Sequence, residues 1–376
     1  MALLPSAIHL THPIPMCNAL LNWYLDMKYR FEFRPYRRKF KQPLKTSHGL
    51  WEVREGIILR LADKNGRKGF GEIAPLRWFG SESFEQALKF CGQLPSEITT
   101  DDVFAVPPEL PACQFGFESA WSEVTSDLQA SKLQVGQAIS FSGLLPSGRA
   151  ALKGWKILWD KGYRTFKWKI GIAPLLEELE VFYELAKALP SKTKLRLDAN
   201  GGLSLQEAGE WLKACDAVYS GSSGSNHRAE IEFLEQPLPA TEFDQMLRLS
   251  NQYSTKLALD ESVANLDQVK TCYQQGWRGI YVIKPAIAGS PKLLRQVCQQ
   301  YKIDAVFSTV FETPIGKHFG LRLSAELSQN NRAAGFGVAH WFANDDFFFE
   351  TETSAFQPYE PCKFSPEELW THLSNI

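Results

Sequence analysis

The chain has no excess of charge of either sign. It contains 41 lysine and arginine residues against 42 aspartate and glutamate residues, which gives a formal net charge of −1 at pH 7. Because nucleic acids and anionic membranes attract clustered positive charge, this balance predicts neither a nucleic-acid partner nor a membrane partner. The 44% hydrophobic content is ordinary for a soluble globular enzyme.

Paired cysteines and clustered histidines are also missing. The seven cysteines are odd in number and contain no CxxC pair, which predicts reduced thiols and a cytoplasmic protein. The seven histidines are scattered along the chain. A zinc site, which takes Cys and His ligands, is therefore not expected.

Residues 1–26 lack the order of a targeting segment. They have apolar stretches but no basic start, and Pro5, Pro13 and Pro15 interrupt them, which is untypical of a signal peptide. They are also too short and broken to span a membrane. A clear strand pattern begins at Met27, so we expect Met27 to be the true start and residues 1–26 to be a poorly ordered extension.

The rest of the chain shows two successive patterns of apolar and polar residues. Residues 27–130 alternate apolar and polar residues as strands do, with an Asn65-Gly66 hairpin signal, a loop around Trp51 and two helical stretches. Over residues 131–340, strand and helix patterns alternate and give eight candidate strands, the last of them weak. The sequence therefore predicts an α/β fold, a (β/α)8 TIM barrel preceded by an α+β module. The aromatic-rich residues 341–376 are expected to pack back on that module.

Five charged residues each end a short apolar run, at intervals of 24 to 37 residues along the chain. They are Lys169, Asp198, Glu235, Asp260 and Lys284. These intervals suit one strand–helix unit each, and catalytic groups of such barrels lie at the carboxyl ends of the strands. An unpaired buried charge is costly, so we expect the five to gather around a common site.

The three acids offer oxygen ligands with no histidine or cysteine nearby, which suits Mg²⁺. Each acid could instead cap a helix or pair with a surface lysine, but three matched strand ends favour the metal site. A metal held in this way could bind a carboxylate substrate. Removal of the proton alpha to that carboxylate would give an enediolate, stabilised by the metal and an ammonium group.

Lysines flank the acids on both sides. Lys167 lies two residues before Lys169, so both side chains face the same side of the strand. Ammonium groups close to each other repel, which favours a neutral lysine that can take a proton. We expect Lys169 to do so and Lys167 to pair with a metal-bound carboxylate. For Lys284 the alternative to catalysis is an ion pair at a helix start.

The segments that carry these charges resemble the enolase superfamily, in particular its muconate-lactonizing-enzyme subgroup. The matching motifs are Lys167-Trp-Lys169, Asp198-Ala-Asn200, Glu235-Gln236-Pro237, Asp260-Glu261 and Lys284. The resemblance implies a modified (β/α)8 barrel with an N-terminal capping domain that the C-terminal tail completes. It also implies Mg²⁺, or Mn²⁺ in its place, bound by Asp198, Glu235 and Asp260.

Within that superfamily the chain is most similar to the o-succinylbenzoate synthases. The similarity lies in GFGEIAPL of the first module, GLLP after the first barrel strand and VFSTVFETPIGKHFGLRLSAEL at the seventh. It implies a small-molecule carboxylate substrate, 2-succinyl-6-hydroxy-2,4-cyclohexadiene-1-carboxylate. That substrate would lose water by syn elimination in menaquinone or phylloquinone biosynthesis.

The same resemblance implies roles for single residues. Lys169 would remove the proton alpha to the carboxylate and then assist the departure of hydroxide from the same face. Lys284 would stabilise the intermediate through a cation–π contact. Four further residues are expected to contact the substrate or flank the metal. They are Arg196, Asn200, Ser308 and Thr309.

Other readings of the same motifs stay open at this point. An N-acylamino acid racemase or dipeptide epimerase would use both lysines on opposite faces of its substrate. Epimerases of dipeptides carry an Asp-x-Asp motif at the eighth strand, whereas here no acid follows that strand before Asp345, which favours the synthase. A noncatalytic metal-binding scaffold is the more remote alternative. Leu50 and Trp51 could close over a substrate ring or pack on their own module.

Overall fold

The computed structural model describes residues 27–46, 49–125, 138–220, 229–337, 341–342, 354–356 and 365–373. The expected extension, residues 1–26, lies outside them. Within the described part, no helix is long and apolar enough to cross a membrane. Five cysteines fall in these ranges, and all five are buried free thiols.

Strands and helices alternate along most of the chain. The strands are β1 Lys28–Thr46, β2 Gly49–Ala62, β3 Lys68–Ile73, β4 Glu97–Thr99, β5 Ile139–Ser140, β6 Ser142–Leu144, β7 Thr165–Lys169, β8 Lys194–Asp198, β9 Glu230–Glu235, β10 Leu257–Leu259, β11 Ile280–Ile283, β12 Ala305–Phe307 and β13 Ala355–Phe356. The helices are α1 Phe84–Gln93, α2 Thr100–Phe104, α3 Pro111–Val124, α4 Ala151–Asp160, α5 Leu175–Ala188, α6 Leu205–Ser220, α7 Phe243–Gln252, α8 Leu266–Gln274, α9 Pro285–Ala288, α10 Pro291–Tyr301, α11 Pro314–Leu327 and α12 Pro366–His372. Four short 3-10 turns connect them at Arg77–Phe79, Gly148–Ala150, Ala240–Glu242 and Glu261–Val263.

The first four strands form one antiparallel sheet in the order β3-β2-β1-β4. The predicted hairpin joins β2 to β3, with Gly66 at a φ of +80°. Helix α3 lies directly on β3, because a Cβ on Gly71 would stand 2.0 Å from the Gly116 carbonyl oxygen. Helix α12 covers part of the same sheet, where Trp370 packs against Phe70. Residues 366–372 of the C-terminal segment therefore lie against the N-terminal sheet.

The loop expected around Trp51 is wrong. Strands β1 and β2 pair as far as Thr46 and Gly49, so Trp51 lies within β2 opposite Leu44. The register shifts between Lys39 and Leu44, and pairing resumes with Leu44 opposite Trp51. Polar residues and one glycine made the segment look like a loop, but cross-strand pairing over many residues overrides that local signal.

Strands β6 to β12 form a seven-stranded parallel sheet in the order β12-β11-β10-β9-β8-β7-β6, while β5 pairs with β13 in a separate two-stranded sheet. Helices connect successive strands of this sheet, which confirms the predicted α/β fold. Its two edge strands meet a common segment, since Ala334 bridges Phe141 and Gly335 bridges Ser308. The weak eighth strand of the sequence pattern corresponds to this segment, and its later residues, 338–340, lie outside the described residues. Asp345 lies outside them as well.

Five apolar side chains from four neighbouring strands form a separate cluster in the parallel sheet. They are Phe233, Ala258, Ile280, Val282 and Val306. Four of these positions lie two residues before a predicted site residue: Phe233 before Glu235, Ala258 before Asp260, Val282 before Lys284 and Val306 before Ser308. Because side chains two apart share a strand face, the cluster lies one layer below the charged strand ends.

A buried carboxylate joins the N-terminal sheet to helix α11. The Glu72 carboxylate lies at the start of this helix, where it accepts hydrogen bonds from the N–H groups of Thr313 at 2.9 Å and Gly316 at 3.0 Å. The hydroxyl groups of Tyr36 and Thr313 donate to the same carboxylate. A negative charge at a helix N-terminus is stabilising, and this one is fully buried.

We expect Glu72→Ala to lower the free energy of unfolding by roughly 2–4 kcal/mol, because it leaves the buried N–H groups of Thr313 and Gly316 without their acceptor. Glu367→Ala is the matched control. Glu367 pairs with Arg60 and Lys68 at a partly exposed site, so its loss should cost less than about 1 kcal/mol. Urea titration of both variants measures the difference, and equal midpoints would contradict the assignment.

Candidate active site

The five charged residues lie at one edge of the parallel sheet. Lys169 ends β7, Asp198 ends β8 and Glu235 ends β9, and the register pairs Lys169 with Asp198 and Asp198 with Glu235. Asp260 directly follows β10 and Lys284 directly follows β11. Parallel strands bring their carboxyl ends to the same edge, so residues far apart in sequence become neighbours.

Lys167 holds two of the three acids. Its Nζ lies 2.8 Å from Asp198 Oδ2 and 2.8 Å from Glu235 Oε1. Burial alone would lower the pKa of Lys167, but the charges of Asp198, Glu235 and Asp260 raise this pKa far above its ordinary value. Repulsion by the neighbouring ammonium therefore does not leave Lys167 neutral, because three carboxylates outweigh it.

Lys284 pairs with the third acid. Its ammonium group donates to Asp260 Oδ1, and its side chain is only 12% exposed. On another side, Lys284 Nζ lies 3.9 Å from the ring centroid of Phe79, which comes from the N-terminal part of the chain. The backbone of Lys284 also caps the short helix α9.

The three acids are crowded and nearly free of solvent. Each is at most 4% exposed. Burial raises the pKa of Glu235, and the charge of Asp198 adds to this; burial likewise raises the pKa of Asp260. Asp198 differs, because the charges of Lys167 and Lys169 overcome the effect of burial and lower its pKa.

These residues fit a hard divalent cation in donor type and in charge. All three acids supply oxygen from adjacent strand ends, and a dication would favour the ionised forms that burial opposes. As the side chains stand, no group of three or more His, Cys, Asp or Glu residues among the described ones is arranged around a metal position. The ammonium groups of Lys167 and Lys284 form ion pairs with oxygens of all three acids.

Two amide side chains fix the strand ends that carry the acids. Asn200 has a left-handed backbone, with a φ of +45°. Its backbone N–H donates to Asp198 Oδ1 at 3.0 Å, and its side-chain Nδ2 donates to Glu261 Oε1 at 3.2 Å. Gln236 is fully buried, and its Oε1 accepts from the N–H groups of Asp260 at 2.9 Å and Ser262 at 3.2 Å. Sequence reasoning assigned no role to Gln236, although it stands within the motif that contains Glu235.

Arg196 lies deeper than the acids. It is 1% exposed and is paired in register with Lys167 rather than with Lys169. Its Nε donates to Glu232 Oε2 at 2.6 Å, while Nη2 has no hydrogen-bond partner among the described residues. Glu232 is also held by Arg332 at 2.8 Å. A contact between Arg196 and substrate stays a prediction.

The two hydroxyl residues after β12 differ in what they can offer. Thr309 is buried and donates its hydroxyl proton to Glu312 Oε2, while its oxygen accepts from the Phe311 N–H at 2.8 Å. Ser308 makes only a long contact of 3.4 Å to the Gly335 carbonyl. The loop therefore uses the Thr309 hydroxyl internally, and Ser308 is the better candidate to donate to a ligand.

Comparisons with known proteins agree with this arrangement. Residues 152–356 match the family model described as enolase C-terminal domain-like, and residues 38–124 match the MenC N-terminal domain. An o-succinylbenzoate synthase of Thermosynechococcus vestitus is 38% identical over 317 residues, which cover 83% of this chain and 93% of that protein.

Solved structures agree with the family models. The o-succinylbenzoate synthase of Thermosynechococcus elongatus BP-1, complexed with magnesium in its active site, matches with a TM-score of 0.75 at 34% identity over 91% of this chain and 99% of that one. A dipeptide epimerase of Enterococcus faecalis V583 has a TM-score of 0.73 over 88% of this chain and 97% of that one, but its 17% identity shows a shared fold alone. The chain therefore belongs to the o-succinylbenzoate synthase family, a family of hydro-lyases within the enolase superfamily.

Proposed function

We propose that this chain converts 2-succinyl-6-hydroxy-2,4-cyclohexadiene-1-carboxylate to 2-succinylbenzoate by syn dehydration, a step of menaquinone or phylloquinone biosynthesis. The observation that carries the proposal is the row of charges at adjacent strand ends, Lys169, Asp198, Glu235, Asp260 and Lys284, in a chain of this family. The substrate is a small carboxylate. The row of charges would supply groups that neutralise its negative charge and a lysine that accepts its acidic proton.

The architecture that would carry this chemistry is a modified (β/α)8 barrel over residues 131–340. The bridges of Ala334 and Gly335 to both edge strands support closure of the sheet. Residues 27–130 would form the capping domain, and residues 341–376 would complete it. Support for this comes from the packing of helix α12 on the N-terminal sheet, where Arg34 lies 4.0 Å from the Trp370 ring.

The metal of this reaction would be Mg²⁺, with Mn²⁺ able to replace it, held by Asp198, Glu235 and Asp260. Bound there, it would neutralise the substrate carboxylate and so increase the acidity of the neighbouring C–H bond. Lys167, which is charged and lies between Asp198 and Glu235, would keep these two acids ionised and oriented. Asn200 and Gln236 would hold the strand ends that carry them.

Lys169 would be the base. Unlike Lys167 and Lys284, it has no hydrogen bond or ion pair to a carboxylate among the described residues. Its Nζ would accept the proton alpha to the carboxylate, and the C–H electron pair would move into the carboxylate group to give an enediolate. This pair would then form the third double bond of the ring as the C–O bond to the hydroxyl breaks, and hydroxide would leave as water with the proton returned by Lys169. Because one lysine would serve both steps, the proton and the hydroxyl group would leave from the same face of the substrate ring.

Lys284 would stabilise the negative charge that develops on the substrate between these two bond changes. Its ammonium group approaches the site from β11, on the side of Asp260 away from β7. A fixed positive charge in a site with little water lowers the barrier more than the same charge in solvent.

The proposal predicts that the purified protein with Mg²⁺ converts the cyclohexadiene carboxylate to an aromatic product with saturation kinetics. Loss of the diene absorbance and proton NMR of the product measure this. A protein that binds the compound without forming 2-succinylbenzoate would contradict the proposed function.

A further inference from the structure

A turn from the N-terminal module reaches the lysine after β11. Residues Arg77–Phe79 form a 3-10 turn between β3 and α1, and Phe79 ends it. The ring of Phe79 then lies over Lys284, with the ammonium nitrogen 3.9 Å from the ring centroid. This is well inside the distance at which a cation is attracted by an aromatic face.

The sequence of the turn allows it to lie close to the part of the molecule that contains the parallel sheet. Gly80 follows Phe79 with a φ of +106°, and its N–H donates to the Arg77 carbonyl at 3.1 Å. A Cβ on Gly80 would stand 3.2 Å from the Cβ of Ala264, which follows Asp260 by four residues. Gly80 thus provides both the left-handed backbone and the close approach that bring Phe79 to Lys284.

The ammonium group of Lys284 is held from two sides. Asp260 accepts a hydrogen bond from it, and the face of Phe79 lies on another side. A lysine side chain has four rotatable bonds and loses much entropy when fixed. With only 12% of the Lys284 side chain exposed, the ring limits both the motion of the ammonium group and its hydration.

We propose that Phe79 is a positioning residue for the reaction, because its ring fixes the ammonium group of Lys284 where charge develops on the substrate. The inference rests on the proposed function of Lys284. It also means that this lysine is in place only while the turn of the N-terminal module is docked at the strand ends. The rival reading is that the Phe79 ring occupies the position of the substrate ring and must leave before binding.

The two readings differ in the kinetic constant that they affect. If Phe79 positions Lys284, Phe79→Leu lowers kcat by roughly 3- to 30-fold, the range that a cation–π contact supports, and leaves KM within about twofold. Phe79→Tyr keeps an aromatic face and retains the parent kcat. If the ring only occupies the substrate position, Phe79→Leu lowers KM and leaves kcat unchanged.

The chain offers a matched control. Phe104 of α2 lies beneath another lysine, Lys292 of α10, with Nζ 5.0 Å from the ring centroid. This contact also joins the N-terminal module to a helix of the parallel-sheet part, and neither of its residues belongs to the proposed site. Phe104→Leu therefore removes the same kind of contact, and we expect it to leave kcat and KM unchanged.

A second measurement needs neither substrate nor metal. In protein carrying lysine labelled with ¹³C at the ε-carbon, the ring current of Phe79 should shift the Lys284 signal upfield, and Lys284→Arg assigns that signal by removing it. We expect the upfield shift in the parent and in Phe79→Tyr, and an ordinary position in Phe79→Leu. Phe104→Leu should leave the signal unmoved.

The outcomes separate the inference from the proposed function. An unmoved Lys284 signal in Phe79→Leu, kinetic constants equal to those of Phe104→Leu, or a fall in KM alone would each overturn the positioning role. A parent protein that never forms 2-succinylbenzoate would instead overturn the proposed function, and the NMR result would still decide whether Phe79 holds Lys284.

Discussion

Lys169→Ala is expected to lower kcat for dehydration by roughly 10²- to 10⁴-fold, the range that a positioned general base contributes. Lys167 cannot replace it, because the charges of Asp198, Glu235 and Asp260 raise the pKa of Lys167 and keep its ammonium group protonated. Lys284 cannot replace it either, because its ammonium group is paired with Asp260. Steady-state turnover of the cyclohexadiene carboxylate measures the loss.

The variant should keep its fold and its metal affinity, because Lys169 makes no ion pair that holds the described structure together. Lys187→Ala is the control, since Lys187 is an exposed lysine in the last turn of α5 and should leave kcat unchanged. Residual activity of Lys169→Ala within a few-fold of the parent would show that another group takes the proton.

Removal of divalent metal is expected to lower activity by roughly 10²-fold or more, because a Lewis acid contributes several kcal/mol to such charge development. EDTA treatment followed by assay measures this, and added Mg²⁺ or Mn²⁺ should restore turnover. The protein should remain folded without metal, since Lys167 and Lys284 already neutralise the acids. Full activity in metal-free buffer would contradict the assignment of Asp198, Glu235 and Asp260 as ligands.

Metal should also raise the unfolding temperature in a concentration-dependent manner, because a ligand that binds only the folded state stabilises it by mass action. Asp198→Asn is a suitable comparison, since it removes one of the proposed oxygen ligands and one of the carboxylates that Lys167 holds. The metal-dependent shift should be smaller in this variant than in the parent.

Much of the candidate site could be predicted because strand ends in a parallel sheet share one edge. A short apolar run followed by a charge marks such an end locally, at Asp198 after KLRL and at Asp260 after LAL. The intervals between these charged residues correspond to the length of one connecting helix and one strand. The order of the strands then follows from the order of the chain, and so does the meeting of Lys169, Asp198 and Glu235.

What could not be predicted depends on contacts between distant segments. Phe79 and Lys284 are 205 residues apart in sequence (284 − 79), and no local pattern links them. The use of the Thr309 hydroxyl by Glu312 and the position of Trp51 within a strand likewise depend on partners that the sequence around each residue does not reveal. For Lys167 the sequence predicted a carboxylate partner, but not that Asp198 and Glu235 would share its ammonium group.

The five charged strand-end residues would serve either dehydration or racemisation. The residues around them therefore decide between the two reactions. The most direct test compares kcat/KM of one preparation of the parent protein for the cyclohexadiene carboxylate and for a panel of N-acylamino acids and dipeptides in D₂O. We predict stoichiometric formation of 2-succinylbenzoate at a kcat/KM far above that for α-deuteration of any panel member. Faster α-deuteration of an N-acylamino acid or a dipeptide, with little or no 2-succinylbenzoate formed, would contradict the account.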